Sequence, residues 1–90
     1  MECDWDESKD AANRAKHGVS LAQAVRLDWT RGKDVMDLRA DYGEDRIIRY
    51  ARLDARLFAC VYTVRSGRLR IISLRKANRR EIRDYGHYSA

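Results

Sequence analysis

Arg56-Leu-Phe-Ala-Cys-Val-Tyr-Thr-Val-Arg65, then Ser66-Gly67, then Arg68-Leu-Arg-Ile-Ile-Ser-Leu-Arg-Lys76 decides how this chain is read. The first run is rich in β-branched and aromatic residues, the second alternates, and the Ser-Gly step between them is a hairpin signal. With a two-residue turn, Thr63 lies opposite Arg70 and Arg65 opposite Arg68, on one sheet face with Val61 and Ile72. The other face holds Phe58, Cys60, Tyr62 and Val64 against Arg75, Ser73, Ile71 and Leu69. That second face is the more apolar, so it receives the helices. A single bulge would exchange the faces.

Upstream, Asp45–Leu53 reads as a strand with Arg46, Ile48, Tyr50 and Arg52 on one face, joined to the hairpin through a tight Asp54-Ala55 turn. Asp34–Ala40 offers Val35, Met36 and Leu38 as an earlier strand. Short loops between successive strands give an antiparallel meander. At the N-terminus, Glu2–Trp5 alternates as a short strand with Cys3 and Trp5 inward. Asp6 caps a helix of about Glu7 to Lys16, whose small Ala11, Ala12 and Ala15 suit close packing on a sheet. His17-Gly18 ends it, Gly18 supplying a left-handed stop. Ser20 with Gln23 forms a capping box, stapled by Val19 and Ala24, for a two-turn helix burying Leu21, Ala24, Val25 and Leu27. Asp28 to Lys33 is a loop. Asn78 caps a final helix, Arg79 to Tyr85, with Gly86 past its end. The expected class is α+β: a mainly antiparallel sheet of four to five strands with helices packed on one face, in a single domain spanning 1–90.

The charge is unevenly spread. Residues 46–90 hold 12 Lys and Arg against 3 Asp and Glu, and residues 1–45 hold 7 against 11, giving +9 and −4 within the net +5. Such polarity points one side of the molecule at an anion, nucleic acid first among them. Hydrophobic residues at 44% keep the chain in the globular range despite 37% charged residues. No apolar run approaches the roughly 20 residues of a membrane span. The acidic N-terminus does not read as a secretory signal, so a cytoplasmic protein is expected. Two cysteines, Cys3 and Cys60, read as reduced, packed residues, and two histidines without a C-x-x-C make no metal-ligand set. A Gly-rich phosphate loop is lacking, and no helix-turn-helix precedes the strands, which argues against a DNA-binding regulator.

Strand arginines with an aromatic at Tyr50 suit a single RNA strand, guanidinium forks on phosphates and bases on rings. Cleavage without a metal needs the 2′-hydroxyl activated, the phosphorane charge stabilised and the 5′-oxygen protonated. Arginine answers the charge; His17, Glu81, Tyr85 and Lys76 are the proton carriers on offer. Three of them have a plainer reading: His17 as a helix C-terminal cap, Glu81 as an ion-pair partner on the last helix, Tyr85 as a packed aromatic. A binding module that docks nucleic acid or an acidic protein on the basic face is the alternative to an enzyme.

Trp5-Asp6-Glu7-Ser8-Lys9, Asn13 and Lys16-His17-Gly18-Val19-Ser20-Leu21, followed far downstream by Tyr62-Thr63, Arg70-Ile71-Ile72-Ser73-Leu74-Arg75-Lys76-Ala77, Arg80-Glu81 and Tyr85, resemble the two signatures of BrnT-type toxins. The resemblance implies a RelE-like ribonuclease toxin of a type II toxin–antitoxin system. It implies metal-independent RNA cleavage that arrests translation, and a BrnA-like ribbon-helix-helix antitoxin that neutralises the toxin and with it represses their promoter. No cofactor is implied. Carried onto this chain, the matching polar positions are Lys16, His17, Arg46, Arg52, Arg70, Ser73, Arg75, Arg80, Glu81 and Tyr85. Taken with the charge polarity, they give an expected catalytic set of His17, Arg46, Arg52, Arg75, Glu81 and Tyr85, with Lys16, Arg70, Lys76, Arg79 and Arg80 binding RNA. The chain departs from the family at Ala51 and Ala55, where glycines are usual, and at Asp28-Trp29, where Asp-Pro is common.

Overall fold

The hairpin at Ser66-Gly67 is the spine of a five-stranded sheet in the computed structural model of the chain, which describes residues 2–89. Its strands are β1 (Cys3–Trp5), β2 (Lys33–Met36), β3 (Ile47–Leu53), β4 (Arg56–Arg65) and β5 (Arg68–Lys76), in the order β1-β5-β4-β3-β2. β2 to β5 form the expected antiparallel meander, and β1 adds in parallel beside β5. Ser66 and Gly67 both take positive φ, 51° and 73°, the backbone a tight primed turn requires. The helices are α1 (Glu7–His17) and α2 (Arg79–Tyr85), with 3₁₀ turns at Leu21–Arg26 and Gly86–Ser89.

β4 and β5 pair as the turn dictates from Arg65/Arg68 to Tyr62/Ile71, and then the register shifts. Val61 faces Ser73, Cys60 faces Leu74 and Ala59 faces Arg75, so Ile72 is an extra residue in β5. This bulge corrects the register expected for the lower half of the hairpin. Leu74, fully buried, replaces Ser73 opposite Cys60 in the apolar cluster. Burying a leucine contributes about 1.5–3 kcal/mol, which a serine there would forfeit. Arg75 and Ser73 move to the opposite face.

The larger cluster lies between the sheet and the chain that follows β1. Phe58, Cys60, Tyr62, Leu69, Ile71 and Leu74 meet Leu21, Ala24 and Leu27, with Trp5 and Trp29 against them. The opposite face carries a smaller cluster of Tyr50, Leu57, Ala59 and Ala77, over which α2 lays Tyr85. Helical chain therefore covers the main face as expected, while α2 turns across the end of the sheet and covers part of the other.

Local departures have local causes. The small-residue stripe of α1 is exposed, and its buried positions are Asp10 and Asn13. β1 stops after three residues, leaving the β5 edge open. Asn13 fills the gap: its amide donates to the Leu74 carbonyl at 2.8 Å and accepts from the Leu74 N–H at 3.1 Å. Asp10 accepts from Leu21 N–H and Ser20 Oγ, at 2.7 and 2.9 Å, so it caps the next turn. That turn is 3₁₀ rather than α; Gln23 accepts from Arg26 instead of closing a capping box, and Val25 is 61% exposed. β2 ends at Met36 and Leu38 is 83% exposed, so the strand is shorter than its pattern suggested. Gly86 keeps right-handed helical angles and leads into the last 3₁₀ turn instead of stopping the chain. Gly18 caps α1 as expected, at φ 73°. At Gly32, φ 139°, a Cβ would lie 2.5 Å from the Tyr50 carbonyl oxygen, so only glycine lets β2 start there.

Candidate active site

Arg75 reaches the α2 side of the sheet only because of the bulge, and Glu81 meets it there. Asn78 caps α2, accepting from the Glu81 N–H at 2.9 Å, while the Glu81 carboxylate accepts from the Asn78 N–H at 2.9 Å. This reciprocal box fixes the Glu81 rotamer. Arg75 then donates from Nη1 to Oε1 at 2.7 Å and from Nη2 to Oε2 at 2.9 Å, and the Tyr50 hydroxyl donates to Oε2 at 2.7 Å. Two oxygens thus accept four hydrogen bonds, which fills a carboxylate. Burial pushes the Glu81 pKa up, but the Arg75 fork, the Asn78 N–H and the Tyr50 hydroxyl outweigh it and hold the group at about 2. Glu81 is a permanent anion, 4% exposed, and Arg75 keeps its outer side toward solvent.

Aromatic rings wall this pair. Tyr85 stacks on Tyr50 with centroids 4.2 Å apart and planes 12° from parallel. Burial, then the Glu81 charge, raises the Tyr50 pKa, so its phenol stays protonated and serves as a donor.

His17 approaches from the far end of α1. The Asn13–Leu74 bonds pin that helix along β5, and Lys16 and His17 end it beside the bulge. The His17 pKa is pushed below its usual 6.5 by desolvation, then by the charges of Lys16 and Arg75. At neutral pH the imidazole is neutral and can accept a proton. An open groove of about 200 Å³ runs past it, lined by Lys9, Asn13, Lys16, Ile72 and Ser73 among others.

Other expected residues stand apart. Arg46 rests over the Tyr42 ring at 4.1 Å and pairs with Glu44, its Nε 3.4 Å from the carboxylate. Arg52 Nη1 donates to the Ala55 carbonyl at 3.0 Å in the β3–β4 turn, and Arg70 pairs with Asp4 at 3.3 Å. Lys76, Arg79 and Arg80 are exposed at the end of β5 and the first turn of α2, next to the Arg75–Glu81 pair in sequence. The structure therefore brings Lys16, His17, Arg75, Glu81 and Tyr85 toward one place and gives Arg46, Arg52 and Arg70 local partners. Tyr50, read only as a stacking aromatic, proves to be the third partner of Glu81. Its phase with Ile48 on β3 was the available signal.

Cys3 and Cys60 are both free, and burial raises both thiol pKa values. Among the described residues no three His, Cys, Asp or Glu side chains gather as a metal ion would require, and no helix is long and apolar enough to cross a membrane. No curated protein matches the sequence. A family model does match, over residues 5–81, a span holding His17, Tyr50, Arg75 and Glu81, and so the chain belongs to the family described as the ribonuclease toxin BrnT of type II toxin–antitoxin systems.

Proposed function

We propose that this chain is a metal-independent endoribonuclease that arrests translation in the cytoplasm and is neutralised by a BrnA-like ribbon-helix-helix antitoxin. The observation that carries the reading is the buried Glu81 carboxylate aiming Arg75 outward beside a neutral His17. Arg75 holds the scissile phosphate and takes up charge as the phosphorane forms. His17 removes the 2′-hydroxyl proton; the 2′-oxygen bonds to phosphorus, the bond to the 5′-oxygen breaks, and a 2′,3′-cyclic phosphate is left. Glu81, with every lone pair engaged, acts through Arg75 rather than as a proton carrier. Tyr85 remains the candidate to protonate the leaving oxygen, and Lys16, Lys76, Arg79 and Arg80 hold flanking phosphates.

Guanidinium forks in a partly buried site stabilise phosphorane charge without a cation. The test is cleavage by the purified protein of RNA, free and on translating ribosomes, with and without EDTA. Cleavage that leaves cyclic phosphate ends and survives EDTA is expected. Intact RNA under both conditions overturns the enzyme reading in favour of a binding module, and a requirement for added Mg²⁺ overturns the metal-free mechanism.

A further inference from the structure

Beyond Met36 the chain still follows β3, the Asp37 N–H donating to the Arg46 carbonyl at 2.8 Å. Alternation along β2 puts the Asp37 side chain on the face of Val35, Ile48 and Tyr50, the face that carries Arg75. The carboxylate is wholly buried there, its side chain 0% exposed, and its ion pair is with Arg39. Arg39 Nε donates to Oδ1 and Nη2 to Oδ2, each at 2.7 Å. The Arg39 N–H at 3.2 Å and the Tyr42 hydroxyl at 3.3 Å complete the clamp.

Taking a carboxylate out of water is expensive. A clamp built only for packing would bury both partners, yet Arg39 remains 64% exposed. The buried anion instead fixes the direction of an exposed cation, as Glu81 does for Arg75. Both clamps are carboxylate forks. Arg39 lies close enough for its charge to act on Arg75, as the charge of Arg75 acts on His17. Each guanidinium is neutralised from behind by its own carboxylate, and two forks aimed from one sheet face within electrostatic reach suit a ligand carrying several negative charges. The Nη1 edge of Arg39 takes no part in its clamp and is left for one.

We propose that Arg39 is a second phosphate-binding arginine on the sheet face that carries Arg75, with Asp37 as its positioning residue. The assignment rests on the ribonuclease reading above and adds to it a contact from the β2–β3 loop.

The test is binding of a short single-stranded RNA, 2′-O-methylated throughout so that it cannot be cleaved, over a series of salt concentrations. Arg39→Ala should weaken binding roughly ten- to a hundredfold at low salt and flatten the salt slope by about 0.7, one phosphate contact on a single strand. Arg39→Lys keeps the charge and loses the fork, so it should restore the slope but only part of the affinity. Because Arg39→Ala strands a buried carboxylate, the double variant Asp37→Asn/Arg39→Gln is measured beside it and should show the same loss of slope. Arg26→Ala, which removes an exposed pair with Asp54, should change neither quantity. Wild-type binding with unchanged slope and affinity in both Arg39→Ala and the double variant overturns the Arg39 assignment and leaves the ribonuclease reading standing. Absence of wild-type binding at every salt concentration also overturns the Arg39 assignment, while the ribonuclease reading stands or falls on the cleavage test above.

Discussion

The two faces of the sheet use the same strands to opposite ends. One is closed by Leu21, Ala24, Leu27 and the two tryptophans over a continuous apolar floor. The other has a small apolar patch at Tyr50, Leu57, Ala59 and Ala77, flanked by arginines that buried carboxylates hold from behind. Folding energy is concentrated on the first face and directional charge on the second. Variants on the two faces should therefore separate stability from activity.

The sharpest break is expected at His17, which is exposed and ends α1. His17→Asn should lower kcat/KM about 10²- to 10⁴-fold with the thermal midpoint unchanged. In the wild type, kcat/KM should hold steady at neutral pH and fall as the pH drops through a value below 6.5, where His17 takes its proton. His17→Asn should lack that fall; a fall that persists assigns it to another group. Next is Leu74, fully buried on the closed face. Leu74→Ala should cost about 2–5 kcal/mol in denaturant unfolding and reduce activity only in proportion to the unfolded fraction.

Glu81→Gln lies between the two categories, with a smaller expected loss of stability than Leu74→Ala, about 1–3 kcal/mol at pH 7. The carboxyl sits at about 2 in the folded chain against an ordinary 4.5. A depressed folded pKa gives stability that is complete above the ordinary value and disappears as the pH falls from about 4.5 toward about 2. Acid unfolding of Glu81→Gln should be flatter through that window. Asp37, also held at about 2, first by the Arg39 hydrogen bonds, supplies the part that remains. Activity should fall by more than the stability loss explains, because Arg75 loses its aim. Equal losses would make the pair purely structural.

Much of this architecture was legible in the sequence because the signals are local. β4, β5 and α2 run as their apolar period, turn residues and Asn78 cap require. Reading stopped where one residue changed phase. Leu69, Ile71 and Leu74 are buried, so the apolar spacing in β5 goes from two to three; with Ser73 falling opposite a strand as apolar as β4, that spacing was the trace of the bulge. Without the bulge Arg75 was assigned to the wrong face, and its meeting with Glu81 was not visible. Asp10 and Asn13 were hidden for another reason. Their partners are the Leu21 N–H, Ser20 and the Leu74 peptide group, and such polar burial has no hydrophobic period. The Asp37–Arg39 fork lies in a segment read as strand, where its i, i+2 spacing looked like ordinary alternation.

Asn13 also determines how the sheet can grow. By occupying both hydrogen-bonding groups of Leu74, its amide closes the β5 edge beyond the short β1, while β2 stands at the other border of the sheet. A strand arriving from another molecule therefore has the outer side of β1 and the outer side of β2 to pair with, and not β5 at Leu74.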